Sequence, residues 1–238
     1  MRYIGFSTGA LARNDFRLAL QMLNNKPVNA VELSALRQDE LIPLVEQIDN
    51  LDLDQFKYVS VHAPSSLDPE FEARALELLD SVFQRGWPII VHPDAMHQIN
   101  EWSRFEELLY IENMDKRKPV GRTAADLEFI FDQLPSASLC FDVGHARQVD
   151  PTMSEAAAIL SQFKARLKQL HASEVNAQSK HDALTLEAIM AFQRVAPLIP
   201  CDVPVILESR IGEPQIQAEI TNALLALNPA ETLALAGD

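Results

Sequence analysis

Short apolar segments recur about every thirty residues along the chain, and most of them end on a polar side chain. Each is five or six residues long and rich in apolar or β-branched residues, which is typical of strands covered by protein on both faces. The eight predicted strands are 3–7, 29–33, 58–62, 88–92, 108–112, 137–142, 167–171 and 204–208.

Between these segments the apolar residues repeat at helical spacing. The predicted helices are 15–25, 39–51, 69–85, 123–134, 152–167, 186–198 and 215–227, and the segment 95–107 is the weakest candidate. Strand and helix alternate eight times, which favours a closed parallel (β/α)₈ TIM barrel of the α/β class over an open doubly wound sheet. We expect one domain over residues 1–238, with a frayed end at 231–238.

The composition is that of an ordinary globular protein, with 47% hydrophobic residues. The net charge of −14 at pH 7 disfavours an extended nucleic acid as a partner but leaves open a phosphate drawn to a local metal site. Cys140 and Cys201 lack metal-type spacing and are predicted to be buried thiols. The sequence has neither an apolar leader nor a run of membrane-spanning length, so a cytoplasmic location without membrane contact is expected.

Predicted strands five to eight end with three carboxylates and one imidazole: Glu112, Asp142, His171 and Glu208. All strands of a parallel barrel run in one direction, so these residues should meet at one rim. Such a group is costly to desolvate unless a cation balances it. The sequence therefore predicts a site for a divalent metal, with Zn²⁺, Mn²⁺ and Mg²⁺ as candidates.

Two further pairs of histidines fall at the same predicted rim. His62 and His92 end strands three and four and, with Glu112 as a shared ligand, would hold a second metal. His145 and His181 follow strands six and seven and either bind a third metal or hydrogen-bond the substrate. The sequence thus predicts one metal site and leaves open a second and a third.

The motifs VHAP, IENMD, CFDVGHA, LHASE and ILES resemble those of the xylose isomerase-like TIM-barrel superfamily, which includes endonuclease IV and the ketose epimerases. The resemblance spans nearly the whole chain. It implies a catalytic metal held by the same quartet of strand-end residues. The endonuclease IV branch adds ligands that match His62, His92 and His145, whereas its final D-x-H motif reads Ser179-Lys180-His181 here, without the carboxylate.

Basic residues beyond the strand ends are candidates for binding a phosphate or carboxylate of the substrate. They are Lys116, Arg117, Arg147 and Arg210. The alternative for the first two is a solvated loop that offsets acidic neighbours. Glu32, which ends strand two, is a further candidate at the substrate site, as a proton carrier or as a partner of a ligand, and the alternative is a structural hydrogen bond.

Two functions fit these residues. The first is a sugar or sugar-phosphate isomerase or epimerase working through a metal-stabilised enediolate, with Glu112 and Glu208 as base and acid. The second is an endonuclease IV-like multi-zinc hydrolase of a small phosphoester or of abasic DNA, which gives every rim histidine a task. The acidic charge and short loops favour the first, with a small carbohydrate as substrate and a homodimer as an open possibility. A metal-binding protein without catalysis is a third reading.

Overall fold

Eight parallel strands form a closed barrel in the computed structural model, which describes residues 2–227. The strands are β1 (Ile4–Ser7), β2 (Ala30–Ser34), β3 (Tyr58–His62), β4 (Ile89–Val91), β5 (Leu109–Glu112), β6 (Ser138–Asp142), β7 (Leu167–Ala172) and β10 (Val205–Leu207). Each pairs with its sequence neighbour in the barrel, and β1 pairs with both β2 and β10, which closes it. The predicted TIM barrel is confirmed.

Helices follow the strands and cover the outside of the barrel. They are α1 (Thr8–Ala12), α2 (Phe16–Leu23), α3 (Gln38–Gln47), α4 (Pro69–Phe83), α5 (Ile99–Trp102), α6 (Ala124–Gln133), α7 (Val143–Val149), α8 (Ser154–Gln162), α9 (Leu186–Phe192) and α10 (Ile216–Leu227). Thr123 caps α6 by accepting a hydrogen bond from the backbone amide of Asp126. The apolar faces of these helices pack on outward-facing strand residues such as Val31, Leu139 and Leu207 to form the main core.

Four elements were not predicted. The short helices α1 and α7 begin directly after β1 and β6, and a two-stranded hairpin, β8 (Glu174–Val175) and β9 (His181–Asp182), lies beyond β7. In the weak segment 95–107 the longest helix is the four-residue α5, and the 3₁₀ segment Ser103–Leu108 that follows it is interrupted at Glu106, whose φ is 49°. The expected frayed end at 231–238 lies outside the described residues, so the extent of the single domain stays a prediction.

The two cysteines differ in environment. Cys140 is buried inside the barrel beside Ile90 and Tyr110, as predicted. Cys201 is exposed, and the prediction of a buried thiol was wrong there, because the residue lies in a turn before β10 rather than on the strand. Among residues 2–227, none of the helices has the length and apolar character needed to cross a bilayer.

Candidate metal centre

The quartet predicted from the strand ends converges at one rim of the barrel. Glu112 and Asp142 are the last residues of β5 and β6, His171 lies in β7, and Glu208 follows β10 directly. One potential ligand atom from each lies within 4.8 Å of the others. Glu112, Asp142 and His171 are at most 1% exposed. Four side chains from distant parts of the sequence therefore form one group of metal-binding character.

Glu112 lies at the centre of the rim and turns its two oxygens in different directions. Its Oε2 is 3.1 Å from Nε2 of His62 and 3.4 Å from Nε2 of His92. Its Oε1 is 3.2 Å from Nδ1 of His145 and 3.5 Å from Nδ1 of His171. A carboxylate arranged in this way has the geometry of a bridging ligand, with one oxygen for the group around His62 and the other for the quartet.

Hydrogen bonds orient two of the histidines so that one nitrogen of each faces the centre. Nδ1 of His62 donates to the carbonyl of Ala63 at 2.6 Å, which leaves Nε2 for a metal. Nε2 of His171 lies 2.9 Å from Oε2 of Glu32, which leaves Nδ1 for the centre. Metal-ligating histidines are commonly fixed in this way by a carbonyl or carboxylate on the far nitrogen.

The D-x-x-H segment places its two side chains by capping a helix. Asp142 is the N-cap of α7, and its Oδ1 accepts from the backbone amide of His145 at 2.7 Å. Asn113 clamps the pair, because its side-chain amide exchanges two 2.8 Å hydrogen bonds with the backbone of Asp142 and its carbonyl contacts Nδ1 of His145 at 3.0 Å. The helix cap thus leaves Oδ2 of Asp142 free to face the centre.

Gly144, between these two residues, allows α7 to approach the barrel. A Cβ atom there would lie 2.4 Å from the carbonyl oxygen of Ser173 and 2.8 Å from Cγ2 of Val175. We expect Gly144→Ala to lower the free energy of unfolding by about 1–3 kcal/mol through overpacking. Thermal unfolding measures this, with Gly212→Ala as the control, since a Cβ there meets nothing closer than 3.7 Å. Equal melting temperatures for the two variants would contradict the packing argument.

A third group forms around His181, which lies in β9 rather than in an open loop. Its Nδ1 is 2.9 Å from Oγ of Ser173 and 3.3 Å from Oε2 of Glu208. Asp142, His145 and His181 bring ligand atoms within 4.8 Å of one another. Asp182 does not join them, because it is exposed and accepts a hydrogen bond from Asn176.

Unpaired atoms test whether these residues suit a cation. Among the described residues, Oδ2 of Asp142, Nδ1 of His171 and Nδ1 of His92 are buried without a hydrogen-bond partner. Native proteins rarely leave buried polar atoms unpaired, and a buried carboxylate oxygen is especially costly. Because two of these atoms belong to the quartet and face its interior, the donor set fits a divalent metal.

Burial and mutual charge shift the titration of the group. Burial favours the neutral form of Glu112, but the charges of His171 and His92 outweigh it and hold the pKa of this carboxylate well below its usual range. Burial opposes protonation of His62, yet the hydrogen bond to Glu112 raises its pKa to about 9. Burial also opposes protonation of His145, but the charge of Asp142 and the hydrogen bond to Glu112 raise the pKa of His145 to about 10. The metal-free centre therefore holds protons at pH 7.

Metal uptake is expected to release these protons. A histidine with a raised pKa must lose its proton to bind a cation, so zinc affinity should rise with pH up to about 9 to 10. Without metal, the raised pKa of His62 stabilises the fold below pH 6.5, and this stabilisation is lost as the pH rises through about 9.

Titration calorimetry of metal binding at pH 7, in buffers of different ionisation enthalpy, measures the number of protons released. Identical heats in all buffers would contradict it.

A cavity of about 650 Å³ opens above the centre and includes several of its predicted ligand residues at the wall. Basic side chains also line it: Arg117, Lys118, Lys180 and Arg210. Arg117 pairs with Asp115 at 2.9 Å and Lys118 with Asp94 at 2.7 Å. For Lys180 and Arg210 no carboxylate partner is found in residues 2–227, so these two cations face the cavity with their charge unbalanced.

Two predicted substrate-binding residues lie elsewhere. Lys116 is exposed and does not line the cavity. Arg147 is also outside the wall and is bound to Glu174 by a close ion pair. Glu32 does not line the cavity either, but it is fully buried against His171, and one of its oxygens lies within 4.8 Å of potential ligand atoms of His62 and Glu208. The sequence had not indicated Lys180, although its place directly before a candidate ligand was a usable signal.

Comparisons with known proteins agree on the fold. No family model matches the sequence, and none of the curated proteins matches it. Endonuclease IV from Thermus thermophilus superposes with a TM-score of 0.63 at 14% identity, over 96% of this chain and 100% of that one. A putative sugar phosphate isomerase/epimerase from Anabaena variabilis gives 0.55 at 15% identity, over 93% of this chain and 88% of that one.

A xylose isomerase domain protein from Alicyclobacillus acidocaldarius also superposes, with a TM-score of 0.58 at 13% identity, over 94% of this chain and 99% of that one. At such low identities these likenesses concern the course of the backbone. The chain therefore shares the closed TIM-barrel fold of these structures.

Proposed function

We propose that this protein is a multi-metal phosphoester hydrolase of the endonuclease IV type that acts on a small substrate. One observation carries the proposal: the two oxygens of Glu112 face two separate histidine groups, with His62 and His92 on one side and His171 on the other. A mononuclear centre built from the quartet would leave His62 and His92 without a task. A shared carboxylate between two ligand sets is the arrangement of a two-metal site.

The residues would hold the ions in adjoining groups. His62, His92 and Glu112 form one, and the quartet that contains Asp142 and His171 forms the next. Divalent ions in such a centre activate water for attack and offset the charge of phosphate oxygens. Burial lowers the pKa of His181 to about 4, so its imidazole is neutral at pH 7. A neutral imidazole can bind a further ion through its lone pair or hydrogen-bond the substrate.

The cavity supports a small phosphoester. Lys180 and Arg210 line its wall with their charges unbalanced, which suits oxygens of an anionic substrate beside the centre. The net charge of −14 disfavours a polyanion such as duplex DNA. A cavity of about 650 Å³ lies within the usual range for small-molecule sites.

A sugar isomerase or epimerase is the second candidate, and one observation favours it. Glu112 and Glu208 both line the cavity, and their pKa values move in opposite directions. Burial raises the pKa of Glu208, so this carboxyl group can carry a proton while Glu112 stays ionised. Two carboxylates separated in this way are typical of acid and base partners.

Two assays on the zinc- or manganese-loaded protein separate these functions. We expect metal-dependent release of p-nitrophenolate from bis(p-nitrophenyl) phosphate and cleavage of small sugar phosphodiesters. An abasic oligonucleotide serves as the polyanionic substrate and should be cleaved more slowly. No phosphoester cleavage, together with solvent deuterium appearing at a carbon of a sugar phosphate, would contradict the hydrolase and establish the isomerase.

A further inference from the structure

A row of polar side chains runs through the interior of the barrel below the metal centre. TIM barrels commonly fill this space with aliphatic layers. Here the hydroxyl of Tyr58, at the start of β3, donates to Oε1 of Gln169 at 2.7 Å. Nε2 of Gln169 donates to Oε2 of Glu32 at 2.7 Å, and Nε2 of His171 lies 2.9 Å from the same oxygen. The row thus links the lower end of the barrel to a predicted metal ligand.

Glu32 directs the order of donors and acceptors in this row, in which Nε2 of Gln169 also lies 2.9 Å from Nε2 of His171. An ionised carboxylate only accepts hydrogen bonds, so Glu32 requires a proton from each group that contacts it. Gln169 supplies an N–H because its oxygen is occupied by the hydroxyl of Tyr58. His171 then donates from Nε2 to the same oxygen, and its Nδ1 faces Glu112 and Glu208, where it binds an ion once its own proton is lost.

We propose that Gln169 and Tyr58 are positioning residues of the metal centre, which act through Glu32 to hold His171 with Nδ1 toward the ion. This inference rests on the metal centre of the proposed function and adds the groups that fix one of its ligands. Partners of a ligating histidine typically contribute about 10–100-fold to metal affinity. Gln169 lies two residues before His171 on the same face of β7, so a rigid strand keeps the two side chains in register.

The burial of these groups argues against a purely space-filling role. Glu32, Gln169 and His171 are 0% exposed. Replacing such a network by aliphatic residues is often neutral or favourable for stability, so stability alone gives little reason for it. Oε1 of Glu32 has no hydrogen-bond partner among the described residues. Oε2 accepts a hydrogen bond from Oγ of Ser60 at 3.3 Å, besides its contacts with Gln169 and His171. The hydrogen bonds to Glu32 therefore concentrate on Oε2, the oxygen that contacts His171.

Zinc affinity of three variants tests the proposal, measured by competition with a chromogenic chelator. Gln169→Glu keeps the shape of the side chain but removes the N–H donated to Glu32, and we expect zinc to bind about 10–100-fold more weakly. Tyr58→Phe should weaken binding by a smaller factor, since it acts through one more hydrogen bond. Tyr3→Phe is the control, because Tyr3 stacks on Tyr58 from an exposed position.

NMR gives a second readout, which reports on His171 itself. In zinc-loaded protein labelled with ¹⁵N-histidine, the wild type should show a slowly exchanging N–H signal at Nε2 of His171. The Gln169→Glu variant should lose it or exchange it faster. Tyr58→Phe removes only one oxygen atom and keeps the test open if the position 169 variant does not fold.

The outcomes separate this inference from the proposed function. Zinc binding by wild type that is unchanged in Gln169→Glu and Tyr58→Phe would overturn the positioning role and leave the hydrolase proposal standing. A wild type that binds no divalent metal would overturn both. Weaker binding in both variants, with Tyr3→Phe unchanged, is the result we expect.

Discussion

Glu112→Gln is expected to remove bound metal and catalytic activity together. The amide has only one oxygen and no charge, so it cannot face His62 on one side and His171 on the other as the carboxylate does. Mutating a residue that only hydrogen-bonds a metal ligand typically weakens metal binding about 10–100-fold. Loss of a ligand shared by two ions should therefore weaken metal binding by more than about 100-fold. Elemental analysis of the purified variant and the phosphoester assay measure the two effects.

The matched control is Glu187→Gln, an exposed glutamate in the first turn of α9. It makes the same chemical change far from the centre and should keep both metal and activity. Thermal unfolding of both variants shows whether the fold survives. Full metal content and activity in Glu112→Gln would show that Glu112 is not a shared metal ligand.

His62→Ala is expected to remove one metal equivalent while leaving the quartet occupied. His62 contacts Oε2 of Glu112, whereas His171 and His145 contact Oε1, so only one side of the shared carboxylate loses a ligand. If phosphoester cleavage needs ions on both sides, activity should fall by more than about 100-fold, as for a missing catalytic component. An isomerase that uses only the quartet would keep most of its activity.

His97→Ala is the control for this change. His97 is the histidine outside the rim and contacts the carbonyl of Leu67 through Nε2. It should retain the metal content and activity of the wild type. Equal metal content in His62→Ala and the control would show that the histidine pair is not a ligand set.

The strands were predictable because their signal is local. Each predicted strand overlaps a strand of the barrel, since a strand covered on both faces must be apolar and must stop where polar residues begin. The short helix α7 was missed because its N-cap and first turn contain Asp142, Gly144 and His145 in place of an apolar stripe. The hairpin β8–β9 was missed because it depends on Ser179 adopting a φ of 54°, which the sequence does not signal.

The candidate site, like the fold, was predictable from the sequence only in part. The convergence of the strand ends was predictable because the barrel itself brings them together. The direction of side chains beyond the strands was not, because it depends on local conformation: Arg147 on α7 pairs with Glu174, and Lys116 is exposed to solvent. Gln169 carried a signal that was overlooked, since a polar residue at an inward position of a buried strand needs a polar partner.

Anomalous scattering at the zinc edge from crystals of the zinc-loaded protein would locate the ions themselves. We expect at least two peaks, one on each side of Glu112, with His62 and His92 at one and Asp142 and His171 at the other. Two-metal hydrolases place their ions about 3.5–4 Å apart. A single peak within the quartet, or none near Glu112, would contradict a two-metal centre.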